Sequence, residues 1–284
     1  MIEIPSLGAL ALSIGTILEK RILKNKKVSI KLYQTASFFA ICLALAPLLY
    51  FFWKVDYSNA LQLKNVLIFI GVIISAVTAN LFVFYSLKWE KVTNLEPARI
   101  LEPLFVILLT IILSFFIEGL GERNIKLIIP ALIASVALVF PHIKKHHLKF
   151  NKYFLSAIAG SFFFALELVL SKLILNYYSS ITFYFIRCFS IFLISLILFR
   201  SNLKKLDKKT SILTFITAVI WVIYRIAIYY GYAQYGLIFT TLIIMLSPVF
   251  IYILARMFLK EKLNWKNIVS SIIIIVCVLY ATLS

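Results

Sequence analysis

The side chains that could do chemistry in this sequence are ionisable groups inside long apolar runs. Glu102 and Arg99 are three residues apart, close enough to pair on one face of a helix. Glu167 and Arg187 lie within two further apolar runs, where Lys172 or an arginine could neutralise Glu167. Buried charges are costly unless they pair or hold a ligand, so these residues indicate a binding site, with self-neutralising salt bridges as the alternative.

A second group of side chains combines an arginine with aromatic rings. Trp221, Arg225 and Tyr229 recur every four residues, and Tyr232 continues the same helical face. An arginine among rings can hold a carboxylate or phosphate while the rings enclose the rest of a ligand. The alternative is an aromatic belt near the membrane interface from which Arg225 extends to water.

Catalytic and metal-binding patterns are missing from the sequence. Three histidines share a lysine-rich loop without a nearby carboxylate or cysteine, and three cysteines lie unpaired in apolar runs: His142, His146, His147, Cys42, Cys188 and Cys277. We therefore expect no catalytic residues, no metal and no cofactor, and we predict that the protein is not an enzyme.

The apolar runs themselves predict an all-α integral membrane protein. Apolar residues make up 63% of the chain and charged residues 14%, where a soluble domain carries about 25%. Runs long enough to span a bilayer as helices cover 4–23, 31–53, 65–87, 93–117, 125–141, 152–175, 180–199, 211–233, 236–259 and 266–283. These runs are continuous rather than alternating, which excludes a β-barrel. The net charge of +18 comes from short loop clusters, a pattern typical of an anionic membrane surface and not of nucleic-acid binding.

The distribution of Lys and Arg between loops predicts the orientation. Twenty lie in the loops that follow odd-numbered segments and four in the other loops. Under the positive-inside rule this places both termini outside, in an inner or plasma membrane crossed many times. Glu19, Lys20 and Arg21 are interpreted as a solvated helix end.

Two halves of the sequence can be overlaid. Residues 17–20 match 169–172, residues 84–87 match 229–232, and Pro103 matches Pro248. We predict a first five-helix repeat at 1–141, a basic connecting loop at 142–151 and a second five-helix repeat at 152–284. Because five is odd, the two repeats would have opposite orientations, the arrangement of many secondary transporters. In this overlay Glu167 falls on Gly15 and Ser171 on Glu19, so each half carries one carboxylate on the same helical stripe.

The second half also resembles a known family. The segments 230–236 (YGYAQYG), 246–250 (LSPVF) and 259–263 (LKEKL) are similar to EamA-like proteins of the drug/metabolite transporter superfamily. The resemblance implies ten helices in two inverted repeats, a central cavity formed by the first four helices of each, and alternating access without ATP hydrolysis. It also implies an arginine in the second helix of a repeat, which Arg187 supplies while Thr35 takes the first-half position, and termini inside, contrary to the charge count.

We predict from these observations a secondary transporter of a small polar metabolite, an amino acid or similar zwitterion, possibly coupled to protons or to exchange. The predicted substrate-binding residues are Glu102, Arg99, Glu167, Arg187, Trp221, Arg225, Tyr229, Tyr85 and Ser247, with Glu167 and Glu102 as coupling-ion groups. The alternatives are an importer of a cationic metabolite such as S-adenosylmethionine or choline, and a membrane scaffold without transport. Expected partners are the substrate and membrane lipid, with the chain as a monomer or homodimer.

Overall fold

A computed structural model describes residues 3–90, 95, 98, 101–117, 124–139, 151–250 and 265–283. Within these residues the chain is helical apart from short connections. The helices are α1 Glu3–Leu23, α2 Ile30–Phe52, α3 Tyr57–Ala60, α4 Leu63–Trp89, α5 Leu101–Leu113, α6 Ile125–Val139, α7 Lys152–Leu175, α8 Ser180–Phe199, α9 Lys208–Tyr235, α10 Leu237–Ile244 and α11 Trp265–Leu283.

Five of the described helices are long and apolar enough to cross a membrane: α2, α4, α7, α8 and α9. Shorter apolar helices cover α5, α6, most of α11 and the stretch Leu237–Phe250 that begins with α10. The prediction of an all-helical, multi-pass membrane protein is therefore confirmed. The longest helix, α9, extends beyond the predicted 211–233 at both ends because Asp207 caps it and the chain stays helical to Tyr235.

Polar side chains determine where several of these helices begin. Ser29 accepts a hydrogen bond from the backbone N–H of Leu32, and Ser179 accepts one from that of Thr182. Each satisfies a backbone donor that the first turn of a helix leaves unpaired. At the other end of α9, Gly236 has a φ of 89°, a left-handed conformation that favours glycine and lets the chain turn directly into α10.

Helices from the first part of the chain pack along helices from the second part. The helix α1 packs along α9 and α4 packs along α7, while α2 packs against α8 and α6 against α11. Glycines allow a close approach in the first two of these pairs, α1 with α9 and α4 with α7. A Cβ on Gly8 of α1 would lie 3.0 Å from the Cβ of Ala227 in α9, and a Cβ on Gly160 of α7 would lie 2.6 Å from Val83 Cγ2 in α4.

Hydrogen bonds between connections tie each end of the bundle together. At one end, the N–H of Asp56 donates to the carbonyl of Tyr177 at 2.8 Å, joining the connections that follow α2 and α7. At the opposite end, the Lys88 amine donates to the Val28 carbonyl, and Asn151 Nδ2 donates to Glu90 Oε2 at 3.0 Å. At each end, the connections that these hydrogen bonds join follow alternate long helices. This is the pattern expected if the chain reverses direction with each long helix.

A pair of lysines makes the same contact in each half. The Lys20 amine of α1 donates to the carbonyl of Leu87 in α4, and the Lys172 amine of α7 donates to the carbonyl of Tyr232 in α9. These four residues are matched in the sequence overlay. The two matched lysines therefore make equivalent hydrogen bonds.

Candidate functional site

A buried carboxylate binds two arginines from neighbouring helices. Glu167 of α7 has no exposed surface. Its Oε1 lies 2.9 Å from Nε of Arg187 in α8, and its Oε2 lies 3.2 Å from Nη1 of Arg225 in α9. The sequence offered Lys172 or an arginine as the partner of Glu167, and the structure shows arginines. Both arginines are themselves predicted site residues.

Two hydroxyl groups complete the surroundings of this carboxylate. Tyr229 Oη donates to Glu167 Oε1 at 2.9 Å. Ser171 Oγ lies 3.2 Å from the same oxygen and 2.7 Å from the backbone carbonyl oxygen of Glu167, and its hydroxyl can donate to either. Charged groups buried in a medium of low polarity need such satisfied partners, because removing them from water costs several kcal/mol per ion. The cluster of Glu167, Arg187, Arg225, Tyr229 and Ser171 is called the charge cluster below.

Aromatic rings surround the two guanidinium groups. The Arg225 guanidinium lies 5.4 Å from the ring centre of Phe164 and 5.6 Å from that of Tyr224. The Arg187 guanidinium lies 5.8 Å from the ring centre of Tyr184, which packs edge-to-face on Tyr229 at 5.9 Å. These cation–π contacts hold the arginines in fixed positions within an apolar environment.

A small cavity lies against the charge cluster. Its volume is about 50 Å³, and Arg187, Arg225 and Trp221 form part of its wall. A water needs roughly 10–15 Å³ of such volume, so the cavity has room for only a few waters. The space beside the charge cluster is therefore small in this structure.

Glu19 also lines this cavity, which corrects the interpretation from sequence. The side chain was expected in solvent at a helix end, but it is 4% exposed. Tyr33 Oη donates to its Oε1 at 3.4 Å, so α2 packs over the carboxylate. The expectation was wrong because it counted residues to the next loop. The repeat overlay, which placed Glu19 on the stripe of Glu167, was the better signal.

Helix capping aligns the second helices of the two halves. Ser37 comes eight residues after the cap Ser29, and Arg187 comes eight residues after the cap Ser179. Both Ser37 and Arg187 line the cavity. Counted from the helix cap, Ser37 holds the position of Arg187, two residues beyond the Thr35 named from the family resemblance.

The third long helices contribute to the cavity in the same way. Asn80 of α4 and Arg225 of α9 both line it. They stand 145 residues apart, the same separation as Tyr85 and Tyr230 in the sequence overlay. The first half therefore presents small polar groups, together with Glu19, where the second half presents its arginines.

The other predicted site residues lie at varying distances from this centre. Glu102 of α5 is partly exposed and interacts electrostatically with Arg225 and Tyr232. Ser247 is buried and its Oγ lies 2.7 Å from that of Ser13 in α1, a contact outside the charge cluster. Tyr85 packs on Tyr153 at the end of α4, with ring centres 5.4 Å apart, and lines a different cleft.

Some predictions fall on residues outside the described ranges: Arg99, His142, His146 and His147. Among the residues that the structure describes, no group of three or more His, Cys, Asp or Glu side chains could hold a metal. The binding roles of all predicted site residues remain predictions.

The fold and the site together define a multi-pass helical membrane protein with a charge cluster beside a small cavity. Residues 151–283 match the model of the EamA-like transporter family. This match confirms the resemblance seen in the sequence and supports the assignment of the chain to the drug/metabolite transporter superfamily.

Two further comparisons concern whole chains. No curated protein matches this one. A solved crystal structure, described only as a protein, superposes with a TM-score of 0.70, covers 99% of this chain and 98% of its own, and shares 16% sequence identity. At that identity the likeness shows the fold alone.

Proposed function

We propose that the protein is a secondary transporter that moves an amino acid or a similar zwitterion across an inner or plasma membrane by alternating access. The observation that carries this proposal is a cavity with opposite charges in its wall. Glu19 comes from α1 of the first half, and Arg187 and Arg225 come from the second half. A zwitterion offers an ammonium group for the carboxylate and a carboxylate for the arginines.

The proposed architecture is ten helices in two inverted repeats of five. Its support is that contacts match in pairs, α1 with α9 and α4 with α7, and that equivalent lysines bind equivalent carbonyls. In inverted repeats the substrate site lies at the interface between the halves, near the middle of the membrane. The lining of the cavity by residues of both halves of the sequence supports a site of this kind.

The size of the cavity requires a conformational change during transport. Ligand sites of small molecules have volumes of roughly 300–1,000 Å³, whereas this cavity has about 50 Å³. A substrate can enter only if helices of the two halves separate. The arginines then become accessible on one side of the membrane at a time, which is the essential step of alternating access.

Glu167 holds the arginines in place until the substrate arrives. Its carboxylate forms ion pairs with both guanidinium groups, at 2.9 and 3.2 Å. A substrate carboxylate would compete for the same donors, as would a proton on Glu167, which would release Arg187 and Arg225. Coupling to a proton through Glu167, or through the nearby Glu102, follows from this competition.

A cationic substrate fits the cavity less well. Two rings that could form a cation–π cage, those of Phe164 and Tyr224, already contact Arg225. Glu167 is occupied by its two arginines, so Glu19 would have to neutralise the cation beside two positive charges. A scaffold without transport would have no need of buried charges around a cavity.

The test uses the purified full-length protein in detergent and in proteoliposomes. Free amino acids of increasing size are compared with their N-acetyl derivatives, which lack the ammonium group, and with their methyl esters, which lack the carboxylate. A ligand that binds only the folded protein raises its melting temperature. We expect stabilisation and counterflow with a free amino acid and weaker effects with both derivatives.

Two variants assign the two ends of the substrate. Glu19→Gln should reduce the advantage of the free amino acid over its N-acetyl derivative, and Arg225→Lys should reduce its advantage over the methyl ester. Glu3→Gln, which alters an exposed carboxylate at the start of α1, is the matched control. If esters and cations bind as well as free amino acids, the zwitterion proposal is wrong, and if no metabolite is carried, so is the transport proposal.

A further inference from the structure

A second and much larger cleft lies apart from the charge cluster, on the outer side of α2, α4 and α7. Its volume is about 840 Å³, against about 50 Å³ for the central cavity. Its walls are mostly apolar and include Leu81, Phe82, Leu155 and Ala159. Phe82 is 37% exposed and Leu155 is 52% exposed, so the cleft opens away from the bundle.

Three lysines stand at one end of this cleft. Lys31 is the second residue of α2, Lys88 is the last but one of α4, and Lys152 is the first of α7. All three line the cleft. Two hydrogen bonds hold these three helix ends together. One joins Lys88 to Val28, and the other joins Asn151 to Glu90, the residue after α4.

The distance from the lysines to the apolar residues Leu81 and Ala159 matches the length of a lipid headgroup together with the first part of an acyl chain. Leu81 is seven residues before Lys88, and Ala159 is seven residues after Lys152, which corresponds to about 10 Å along each helix. Trp89, 59% exposed at the rim, is a residue type enriched at the level of the headgroups. The cleft therefore runs from a positive rim to an apolar interior.

We propose that this cleft binds an anionic phospholipid, with the phosphate at the three lysines and one acyl chain along the apolar walls. Basic pockets between helices at a membrane surface are suited to anionic headgroups. The binding is independent of the transport function proposed above, since the cleft shares no lining residue with the central cavity.

The lysine amines have donors to spare for a phosphate. The Lys31 amine lies 5.7 Å from the ring centre of Phe199, and the Lys152 amine lies 5.2 Å from that of Tyr153. The Lys88 amine makes one hydrogen bond, to the Val28 carbonyl, and an ammonium group has three donors. Three cationic amines fit an anionic headgroup better than a zwitterionic one, whose phosphate is already neutralised by its own ammonium group.

The test measures lipid binding by the delipidated full-length protein. Melting temperature and native mass spectra are recorded with palmitoyl-oleoyl phosphatidylglycerol and with the phosphatidylcholine of the same chains. The first lipid should bind more tightly to the natural protein. In the variant K31Q/K88Q/K152Q its affinity should fall on the order of a hundredfold, at about fivefold for each lysine.

Control variants separate a defined site from general surface charge. The variant K204Q/K205Q/K209Q removes the same charge from exposed lysines before and at the start of α9 and should retain lipid binding. The variant K31Q/K152Q leaves the Lys88 hydrogen bond intact and should lose about 25-fold if each lysine contributes about fivefold. Ala159→Trp fills the apolar end without a change in charge and should also weaken binding.

Several outcomes would overturn the proposal. These are equal binding of the two lipids, equal losses in the two triple variants, and a melting-temperature shift by glycerophosphoglycerol or inorganic phosphate as large as that by the lipid. The last result would mean that the lysines bind a free phosphate and that the apolar walls contribute nothing. Undiminished lipid binding by Ala159→Trp would likewise exclude the acyl chain from the cleft.

Discussion

Replacement of Glu167 by glutamine is expected to destabilise the protein strongly. The carboxylate is the partner of two buried guanidinium groups, at 2.9 Å from Arg187 and 3.2 Å from Arg225. Glutamine preserves the shape and can still accept the hydrogen bond of Tyr229, but it leaves two buried cations without their carboxylate. Breaking a buried pair by removing one partner costs about 3–5 kcal/mol.

The cost of removing one arginine should be smaller. In Arg187→Gln the carboxylate of Glu167 still pairs with Arg225, so the remaining charges balance. We expect a loss of about 1–3 kcal/mol, as for a hydrogen bond to a charged group. The double variant E167Q/R187Q should cost less than the sum of the single variants by about 0.5–3 kcal/mol, since the two side chains contact each other directly.

The assay is reversible unfolding of the purified protein in mixed micelles, followed by circular dichroism. A loss of 3–5 kcal/mol corresponds to a fall in melting temperature of roughly 6–10 °C, at about 2 °C per kcal/mol for a chain of this length. Glu3→Gln, at an exposed carboxylate, should lie within about 0.5 kcal/mol of the natural protein.

Two results would refute the reasoning about the charge cluster. One is a loss below about 1 kcal/mol for Glu167→Gln, which would mean that the carboxylate is solvated or that another acid replaces it. The other is a larger cost for Arg187→Gln than for Glu167→Gln. That order would contradict the claim that one carboxylate serves both arginines.

Three further predictions concern helix packing, the cavity and a helix cap. Gly160→Ala should lower the free energy of unfolding by about 1–3 kcal/mol, because its Cβ would lie 2.6 Å from Val83 Cγ2 and 3.3 Å from the Ala79 carbonyl oxygen. In the control variant Gly71→Ala the new Cβ meets only the flexible Leu170 Cδ1, at 3.3 Å, so the melting temperature should change little. Trp221→Phe removes an indole N–H that has no hydrogen-bond partner among the described residues, so stability should hold within about 1 kcal/mol while any affinity that depends on that N–H falls in the metabolite thermal-shift assay. The hydrogen bonds from Thr210 hold the pKa of Asp207 below its usual range, so this cap stabilises α9 above about pH 4 and its contribution disappears as the pH falls through the lowered pKa; Asp207→Asn should remove that dependence in melting curves taken between about pH 5 and pH 2.5.

The position of the site was only partly predictable from the sequence. Ionisable groups within apolar runs indicate Glu167, Arg187 and Arg225, and helical spacing from Arg225 indicates Tyr229. The structure brings all four into one cluster. Glu19 was misplaced because a count of residues to the nearest loop ignores the helix that packs over it. Tyr85 is suggested by its place in the repeat and Ser247 by the segment that resembles the family. Either signal gives a position along a helix but not the neighbours that surround it.

What the sequence determines by itself is the class of the molecule, an all-helical membrane protein with several spanning helices. Lipid requires each spanning segment to satisfy its own backbone hydrogen bonds, so long apolar runs become helices whatever surrounds them. The tertiary structure alone decided which charges meet. Glu167 reaches Arg187, 20 residues away on the next long helix, and Arg225, 58 residues away on the one after it, because α7, α8 and α9 converge there. Pairing across helices depends on their rotation and crossing, and the order of residues along the chain does not contain those quantities in readable form.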